Sequence, residues 1–492
     1  MSVELERIYK HIDEHLDEHV ATLQEFVRQK SISHTGEGIR ECARLVEGYF
    51  KDLGCQETRI EEPGITKWGL EGDPVVVGKY DAGAEKTLMY YIMYDTMPVY
   101  HGEFELWNVP PWEARLVEMP PFPKVVMGRG STNSKGPALS FLKACESIRE
   151  VAGDLPVNLI IIAEGDEERM DVGLEKFMME HADEFENADA MYGGGRQARN
   201  GVAQIGGGSE GCLFFELITS GEHWGRGPTK YSVHGYNKRW LDSPAWRHIE
   251  MLSTLTSDNG NKILVDGWFD NLEPPTSEDL ELLKKIASMT NFEDRKEALG
   301  AKTFINDETD PLELTKMIAY GVTLNLDGIW GGRILDTGAG SVLPYKITSK
   351  HNCRYMPNQS GDDLLKNLRK HLDGKGYEDV QVRVVGDVDW CKFKRDTEIS
   401  KAIVRMFEKF GVEHIPASPP TMSVPTEAPY WPAYLFGKNP VNVPIGRGGL
   451  GHGGRAHAID EYYVIEGAGK VYGLAGAEKG HATVLYNYSG LT

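Results

Sequence analysis

Four segments of the sequence place acidic, basic and imidazole side chains beside turn-forming residues. They are YYIMYDTMPV at 90–99, GRGSTNSKGP at 128–137, AEGDEE at 163–168 and GGRAHAIDEYYVIEG at 453–467. Carboxylate and imidazole groups of this kind can hold a divalent cation or transfer protons. Each segment alone is weak evidence, because an acidic turn is usually solvated and a single histidine such as His457 is usually structural. Their order and spacing together favour one enzymatic site.

The elements around these segments predict an α/β domain. Apolar runs at 74–80, 87–94 and 157–165 indicate buried strands, and the run at 136–151 indicates a helix between the last two. Strand–helix–strand order with continuously apolar strands is typical of a mostly parallel sheet flanked by helices. Such sheets carry their sites at strand ends, which is where the four segments lie.

The length of 492 residues predicts more than one compact unit. After about residue 206 the pattern changes to strands and helices with long connections, beginning with the strand-like run at 211–221. We therefore expect a catalytic α/β domain formed by 1–207 and 388–492. An inserted α+β domain is expected at 208–387.

Composition narrows the classes of partner. The net charge of −21 argues against nucleic acid and against an anionic membrane surface. Residues 4–30 have apolar positions at helical spacing, which predicts one long amphipathic helix and not a secretory signal. No run of 18 apolar residues predicts a membrane span. The six cysteines are scattered without a CxxC pair, which favours a reduced, cytoplasmic protein.

The ordered motifs resemble the M20 family of metallopeptidases and aminoacylases, most closely its dipeptidase branch, which includes carnosinase-like enzymes. WNVPPWEA at 107–114 and GRGSTNSKGP resemble the family's W–PF segment and GRG–D–KGP loop, and EGDEE resembles its EG–EE motif. The segment at 340–358 resembles the IP–R–VP segment of the lid, and AHAIDE with YVIEG resembles the AH–NE segment. The resemblance covers nearly the whole chain. It implies a homodimeric hydrolase with paired divalent ions, usually zinc, that are bridged by an aspartate and a water.

Five residues match functional positions of that family. Glu167 falls on the general base, and Glu168 and His457 fall on two ligands of one ion. His234 falls on a lid histidine that stabilises the oxyanion, and Arg354 on a lid arginine that binds a substrate carboxylate. The resemblance thus implies a water-activating carboxylate and a substrate-binding lid.

The family's other metal-ligand positions are changed. The ligand histidine falls on Met93, the bridging aspartate on Asn133 and a further carboxylate near Gly195. A thioether is a weak donor for zinc or manganese, a neutral amide cannot bridge two cations, and glycine offers no side chain. We expect the second metal site to be lost.

At most one divalent ion, zinc or manganese, is therefore implied, held with reduced affinity by Glu168, His457 and Asn133. A metal-free protein is the alternative. Asp95, which in the family orients the missing histidine, is expected to contribute to substrate binding. Without cations, its crowding with Glu167 and Glu168 is expected to raise the pKa of these carboxyl groups.

Three functions fit this pattern. The first is hydrolysis of an amide bond in a short peptide or N-acyl amino acid, with Glu167 as base and at most one metal ion. The second is a metal-independent enzyme on the same scaffold that acts on a different C–N bond. The third is a non-catalytic binding protein, and the retained Glu167, Glu168 and His457 favour an enzyme over it.

Overall fold

The computed structural model describes residues 3–100, 102–333, 340–394, 396–415 and 430–490. The chain forms two compact units, Met1–Ser209 with Cys391–Thr492, and Glu210–Trp390. Along the chain, the boundaries between the units fall at 209/210 and 390/391. The sequence predicted these boundaries at 207/208 and 387/388. No helix in the described ranges is both long enough and apolar enough to cross a bilayer.

Helices and strands are interspersed along the described chain. The helices of seven or more residues are α1 (Val3–Glu14), α2 (Leu16–Arg28), α3 (Ile39–Leu53), α4 (Gly136–Ala152), α5 (Val172–Glu180), α6 (Pro244–Leu255), α7 (Ser277–Met289), α8 (Phe292–Ala298), α9 (Pro311–Tyr320), α10 (Gly361–Gly374), α11 (Glu398–Lys409) and α12 (Leu474–Ser489). The strands of three or more residues are β1 (Glu57–Glu61), β2 (Val75–Tyr80), β3 (Thr87–Met93), β4 (Arg115–Met119), β5 (Phe122–Met127), β6 (Asn158–Glu164), β7 (Ala190–Gly193), β8 (Gly211–Ser220), β9 (Asn325–Gly331), β10 (Lys346–Tyr355), β11 (Gln381–Val388), β12 (Ile445–Arg447) and β13 (Tyr462–Glu466).

The main sheet of the first unit has the strand order β1-β2-β6-β3-β7-β12. Strands β6, β3, β7 and β12 run parallel, while β2 is antiparallel to β6 and β1 is antiparallel to β2. The predicted α/β class is confirmed, with a mixed sheet. The connection at 81–86 is too short for the crossover that would make β2 parallel to β3. The four parallel strands bring their carboxyl ends to one edge of the sheet.

Helices cover this sheet because its central strands are apolar on both faces. The side chains of Val75, Val76 and Val77 in β2, and of Ile161 and Ile162 in β6, are buried. Helices α1, α4 and α12 pack against one another, α11 packs on β12, and α3 packs on β1 and β2. A strand buried on both faces reads as a continuous apolar run, which is why the sequence located β2, β3 and β6 within a residue or two.

The predicted single helix over residues 4–30 is divided at His15. Helix α1 ends at Glu14 and α2 begins at Leu16. The His15 ring nitrogen Nδ1 lies 2.9 Å from the carbonyl oxygen of His11, so the side chain takes part in the hydrogen bonding of the last helical turn. The apolar spacing continues on both sides of the break, which concealed it in the sequence.

A smaller antiparallel sheet positions two of the chemical segments. It joins the two-residue strand Gly453–Gly454 to β13, β5 and β4 in that order. Tyr462, the first residue of β13, pairs with Met127, the last residue of β5. The loop after β5 and the segment before β13 therefore lie side by side.

The second unit contains a four-stranded antiparallel sheet in the order β9-β10-β8-β11. Helix α10 places Leu364, Leu368 and Leu372 in a core with Leu213 and Phe215 of β8. Helix α6 joins the same core. The predicted inserted α+β architecture is confirmed, and α7, α8 and α9 extend it between residues 277 and 320.

Candidate active site

A cavity of about 230 Å³ lies in the first unit, at the carboxyl ends of the parallel strands. Met93 ends β3, Glu167 follows β6, Gly194 follows β7 and Arg447 ends β12. All four residues line the cavity, together with His457. The parallel sheet therefore gathers side chains from four distant stretches of sequence around one space.

Asp95 fixes the turn that carries the two glutamates. Its side chain is fully buried, and its two oxygens accept hydrogen bonds from the backbone N–H groups of Glu167 at 3.2 Å and Glu168 at 3.1 Å. The predicted role of Asp95 in substrate binding does not fit this placement, because neither oxygen is exposed to a ligand. Asp95 instead positions the turn.

Glu461 fixes the glycine-rich loop in the same way. One of its oxygens accepts hydrogen bonds from Arg129 and from the backbone of Gly130, and the other accepts them from the backbone of Thr132 and Asn133, all at 2.8–3.1 Å. The carboxylate is fully buried. A single side chain thus satisfies four donors and holds Asn133 at the cavity.

The three predicted metal ligands are brought together. Glu168 Oε1 lies 2.8 Å from His457 Nε2 and accepts a hydrogen bond from Asn133 Nδ2 at 2.9 Å. Asn133 Nδ2 also lies 2.9 Å from His457 Nε2. The side chain of Glu168 is buried, while that of His457 is half-exposed. Donor atoms at such separations can surround one cation once the Asn133 amide turns its oxygen inward.

The changed positions offer no second set of ligands. Met93 lines the cavity, as does Gly194. The placement of a further carboxylate near Gly195 stays a prediction; a side chain at Gly195 itself would meet the backbone of Gly448 at 2.7 Å. A Cβ at Gly194 would lie 2.7 Å from the Tyr90 hydroxyl, so an aromatic side chain already occupies the space that a carboxylate would need.

The donor set therefore fits one divalent ion and does not fit two. Glu168 and His457 supply an anionic oxygen and an imidazole nitrogen, and Asn133 supplies a neutral third donor. Among the described residues, no three His, Cys, Asp or Glu side chains converge in a way that could hold a metal ion. Such a set is poor for zinc, which agrees with the reduced affinity expected from the sequence.

Burial raises the pKa of Glu167 well above its usual range, and the charges of Glu168, Asp95 and Glu164 raise it further. The charge of Arg447 acts in the opposite direction. Burial likewise raises the pKa of Asp95. These directions are those expected for carboxyl groups crowded together without cations.

Glu168 is compensated by His457. Burial of the imidazole lowers its pKa, but the hydrogen bond that the ring donates to Glu168 and the charges of Glu168 and Glu461 outweigh that effect and raise the pKa of His457. The pair is therefore a partly buried ion pair when His457 is protonated. A metal ion bound there would take the place of that proton.

A second carboxyl pair lies behind the cavity. Glu164 accepts a hydrogen bond from the Tyr91 hydroxyl at 2.5 Å, and the nearby carboxyl group of Asp171 is also buried. Burial raises the pKa of Glu164 to about 8; burial and then the charge of Glu164 raise the pKa of Asp171 well above its usual value. A proton on a buried carboxyl group spares the protein a buried charge.

The predicted lid residues belong to the second unit. His234 is exposed, and its Nδ1 accepts a hydrogen bond from the backbone of Tyr236 at 3.2 Å, which leaves Nε2 as the protonated nitrogen of a neutral ring. Arg354 on β10 donates from Nη1 to Glu210 at 3.2 Å. Burial raises the pKa of Glu210 to about 7, although Arg354 opposes that rise.

Sequence reasoning assigned no role to several residues at the cavity. Arg196 donates to the carbonyl oxygen of Thr132 at 2.6 Å, and Arg447 stacks over Trp431 at 5.2 Å from the ring centre. Tyr430 completes the aromatic lining. Arg196 follows the glycine run at 193–195 and Arg447 precedes the glycines at 448–449, so both are in segments typical of ordinary loops. The available signal was an arginine just after the strand at 190–193 and at the end of the strand at 445–447.

The sequence pattern of peptidase family M20/M25/M40 matches residues 92–472. The Cys-Gly metallodipeptidase dug1 of Schizosaccharomyces pombe is 27% identical over 387 residues, which are 76% of this chain and 76% of the relative. The Beta-Ala-His dipeptidase of Mus musculus is 24% identical over 438 residues, which are 83% of this chain and 82% of the relative.

Solved structures of similar fold include two from the same group of enzymes. The dipeptidase Dug1p from Saccharomyces cerevisiae has a TM-score of 0.83 at 22% identity and covers 100% of this chain and 99% of its own. The M20 family metallo-carboxypeptidase Sso-CP2 from Sulfolobus solfataricus has a TM-score of 0.80 at 26% identity. The match covers 96% of this chain and 99% of the chain of that structure.

Ionisation of Glu164 is expected to make the protein less stable as the pH rises. Its pKa of about 8 in the folded chain exceeds the value of about 4.3 in an unfolded chain. The folded chain therefore binds more protons between these values, and the free energy of unfolding falls as the pH rises through that window. Glu164→Gln should flatten the fall by about 1.4 kcal/mol per pH unit. Urea denaturation between pH 5 and pH 8 measures the slope.

The matched control is Glu186→Gln, which changes an exposed glutamate in the same unit. It should leave the slope of the wild-type protein unchanged. An equal slope in Glu164→Gln and wild type would show that Glu164 does not carry the pH dependence.

Proposed function

Because this chain belongs to peptidase family M20/M25/M40 and is a hydrolase of amide bonds at the level of that family, we propose that it cleaves a short peptide or an N-acyl amino acid. The predicted likeness to the dipeptidase branch is confirmed by the relatives described above. We further propose that Glu167 is the general base and that the chain uses at most one metal ion.

The position of Glu167 carries this proposal. Its carboxyl group lies at the cavity, on a turn whose backbone is held by Asp95. The same cavity is lined by Asn133 and His457, which together with Glu168 form the candidate ion site. At a pH above its raised pKa, the ionised Glu167 can take a proton from water as the water attacks the carbonyl carbon, and can then give the proton to the leaving nitrogen.

Glu168, His457 and Asn133 would hold one zinc or manganese ion, which when bound would polarise the substrate carbonyl. The chain's own residues fix the geometry. Asp95 holds the glutamate turn, and Glu461 holds the loop that carries Asn133.

Two residues of the second unit are proposed to act on the substrate. His234 would donate its Nε2 proton to the oxyanion, and Arg354 would bind a substrate carboxylate. A substrate carboxylate at Arg354 would share the guanidinium with Glu210, which accepts its hydrogen bond at 3.2 Å.

Replacing Glu167 with glutamine tests the proposed base. The amide cannot accept a proton from water, so kcat should fall by roughly 10²- to 10⁴-fold with little change in KM. Turnover is measured on a panel of dipeptides, including Cys-Gly and β-Ala-His, and of N-acetyl amino acids. Glu186→Gln is the control for an equivalent change on the surface. Wild-type turnover retained in Glu167→Gln would contradict the mechanism, and a wild-type chain without turnover on the panel would favour a non-catalytic binding protein.

Metal analysis tests the proposed single ion site. We expect no more than about one equivalent of zinc or manganese per chain after dialysis, because three donors converge among the residues that the structure describes. Glu168→Gln and His457→Asn should each abolish that binding, whereas the exposed His223→Asn should not. Elemental analysis by mass spectrometry measures the content.

Two equivalents per chain would contradict the loss of the second site. Full activity in chelator-treated protein would favour the metal-independent enzyme, which the replacement of ligands by Met93 and Gly194 already supports.

The second unit is also proposed to form a homodimer through β9. This strand is at the edge of its sheet, and Leu326, Ile329 and Trp330 are 43–47% exposed. An exposed apolar edge strand readily pairs with another chain. A second copy of this protein would cover both the apolar side chains and the unpaired backbone edge.

Ile329→Lys should convert the dimer to a monomer, because a charged side chain on an edge strand opposes pairing. Light scattering coupled to size exclusion measures the mass. Gln381→Lys, at the exposed start of β11 on the other edge of the sheet, is the control and should remain dimeric. A monomeric wild-type protein would contradict the proposal.

A further inference from the structure

Arg447 places a permanent positive charge at the cavity. In the parallel pairing of β12 with β7, Arg447 stands opposite Gly193. Both residues line the cavity with Glu167 and Met93. The guanidinium carbon lies 5.2 Å from the centre of the Trp431 ring, within the range of a cation–π contact. The last residue of β12 therefore brings a fixed cation to the edge of the sheet where the water-activating glutamate lies.

Two glycines make room for this side chain. A Cβ at Gly193 would lie 3.3 Å from Cγ of Arg447, and a Cβ at Gly206 would lie 3.0 Å from its Cβ. Both separations are tighter than ordinary carbon–carbon contact. The arginine stem is thus confined between two backbones, which restricts where its guanidinium can point.

The cavity that Arg447 lines also contains residues that cannot bind a cation. Met93 and Gly194 line the same cavity, and neither offers an anionic oxygen or an imidazole. A guanidinium needs no such ligands, because its charge is covalently attached and persists at every working pH. Its planar N–H groups can donate to an oxygen that gains negative charge.

We propose that Arg447 takes the place of a second cation and stabilises the oxyanion that forms when water attacks the substrate carbonyl. This assignment rests on the amide hydrolysis proposed above. The water oxygen forms a bond to the carbonyl carbon, Glu167 takes the water proton, and the carbonyl π electrons move to the oxygen, which accepts hydrogen bonds from Arg447. The electron pair on that oxygen then re-forms the carbonyl bond, the C–N bond breaks, and the proton on Glu167 passes to the leaving nitrogen.

A tetrahedral anion tests the assignment without turnover. The probe is the phosphinic analogue of alanylglycine, in which a phosphinate replaces the scissile amide, and it is titrated calorimetrically into chelator-treated protein. Arg447→Ala should weaken phosphinate binding by about 100-fold or more, as expected for the loss of one oxyanion donor. The phosphinate affinity of Arg447→Lys should lie between those of Arg447→Ala and wild type, because lysine keeps the charge but lacks the planar donors.

Chemical rescue separates a direct role from a structural one. Guanidinium ion at millimolar concentration should restore phosphinate binding to Arg447→Ala, because it can enter the space left by the side chain, and it should leave Arg447→Lys unchanged. Arg199→Met, at an exposed arginine of the same unit, is the control and should bind the phosphinate like wild type.

Three results would overturn the assignment. They are wild type that does not bind the phosphinate, Arg447→Ala that binds it like wild type, and Arg447→Ala that guanidinium fails to rescue. Failure of the proposed hydrolysis is read separately, from the absence of wild-type turnover on the peptide panel, so the two proposals can fail independently.

Discussion

Buried carboxyl groups crowd the ends of β3 and β6, and the site depends on how each of them is balanced. An uncompensated buried carboxylate costs on the order of several kcal/mol, so each needs N–H donors, a proton or a cation. Asp95 accepts hydrogen bonds from backbone N–H groups, and Glu164 accepts one from the Tyr91 hydroxyl. Glu168 is paired with the imidazole of His457. These hydrogen bonds and the ion pair offset the cost of burying carboxyl groups at the strand ends.

Two buried carboxylates hold the framework independently of any metal. Asp95 binds the backbone of the glutamate turn, and Glu461 binds the backbone of the loop that carries Asn133. Because both act on main-chain N–H groups, the side chains on those segments can change without loss of the local fold. Under the proposed function, that arrangement would let Met93 and Asn133 occupy metal-ligand positions of the family without displacing Glu167, Glu168 or His457.

The errors of sequence reasoning have identifiable causes. The break at His15 was missed because apolar spacing continues across it and only a side-chain contact with His11 marks the turn. Asp95 was assigned to substrate because a loop carboxylate after a strand reads as exposed, whereas the structure buries it under the glutamate turn.

The sequence by itself determined the α/β class, the inserted second unit, the family motifs and the replacement of ligand types, because apolar runs and residue chemistry are local properties. Only the tertiary structure decided which groups balance one another. Arg447 is separated from Glu167 by 280 residues, and they meet because β12 pairs with β7 at the same edge of the sheet. Strand order sets that neighbourhood, and a single sequence does not encode strand order in any local pattern.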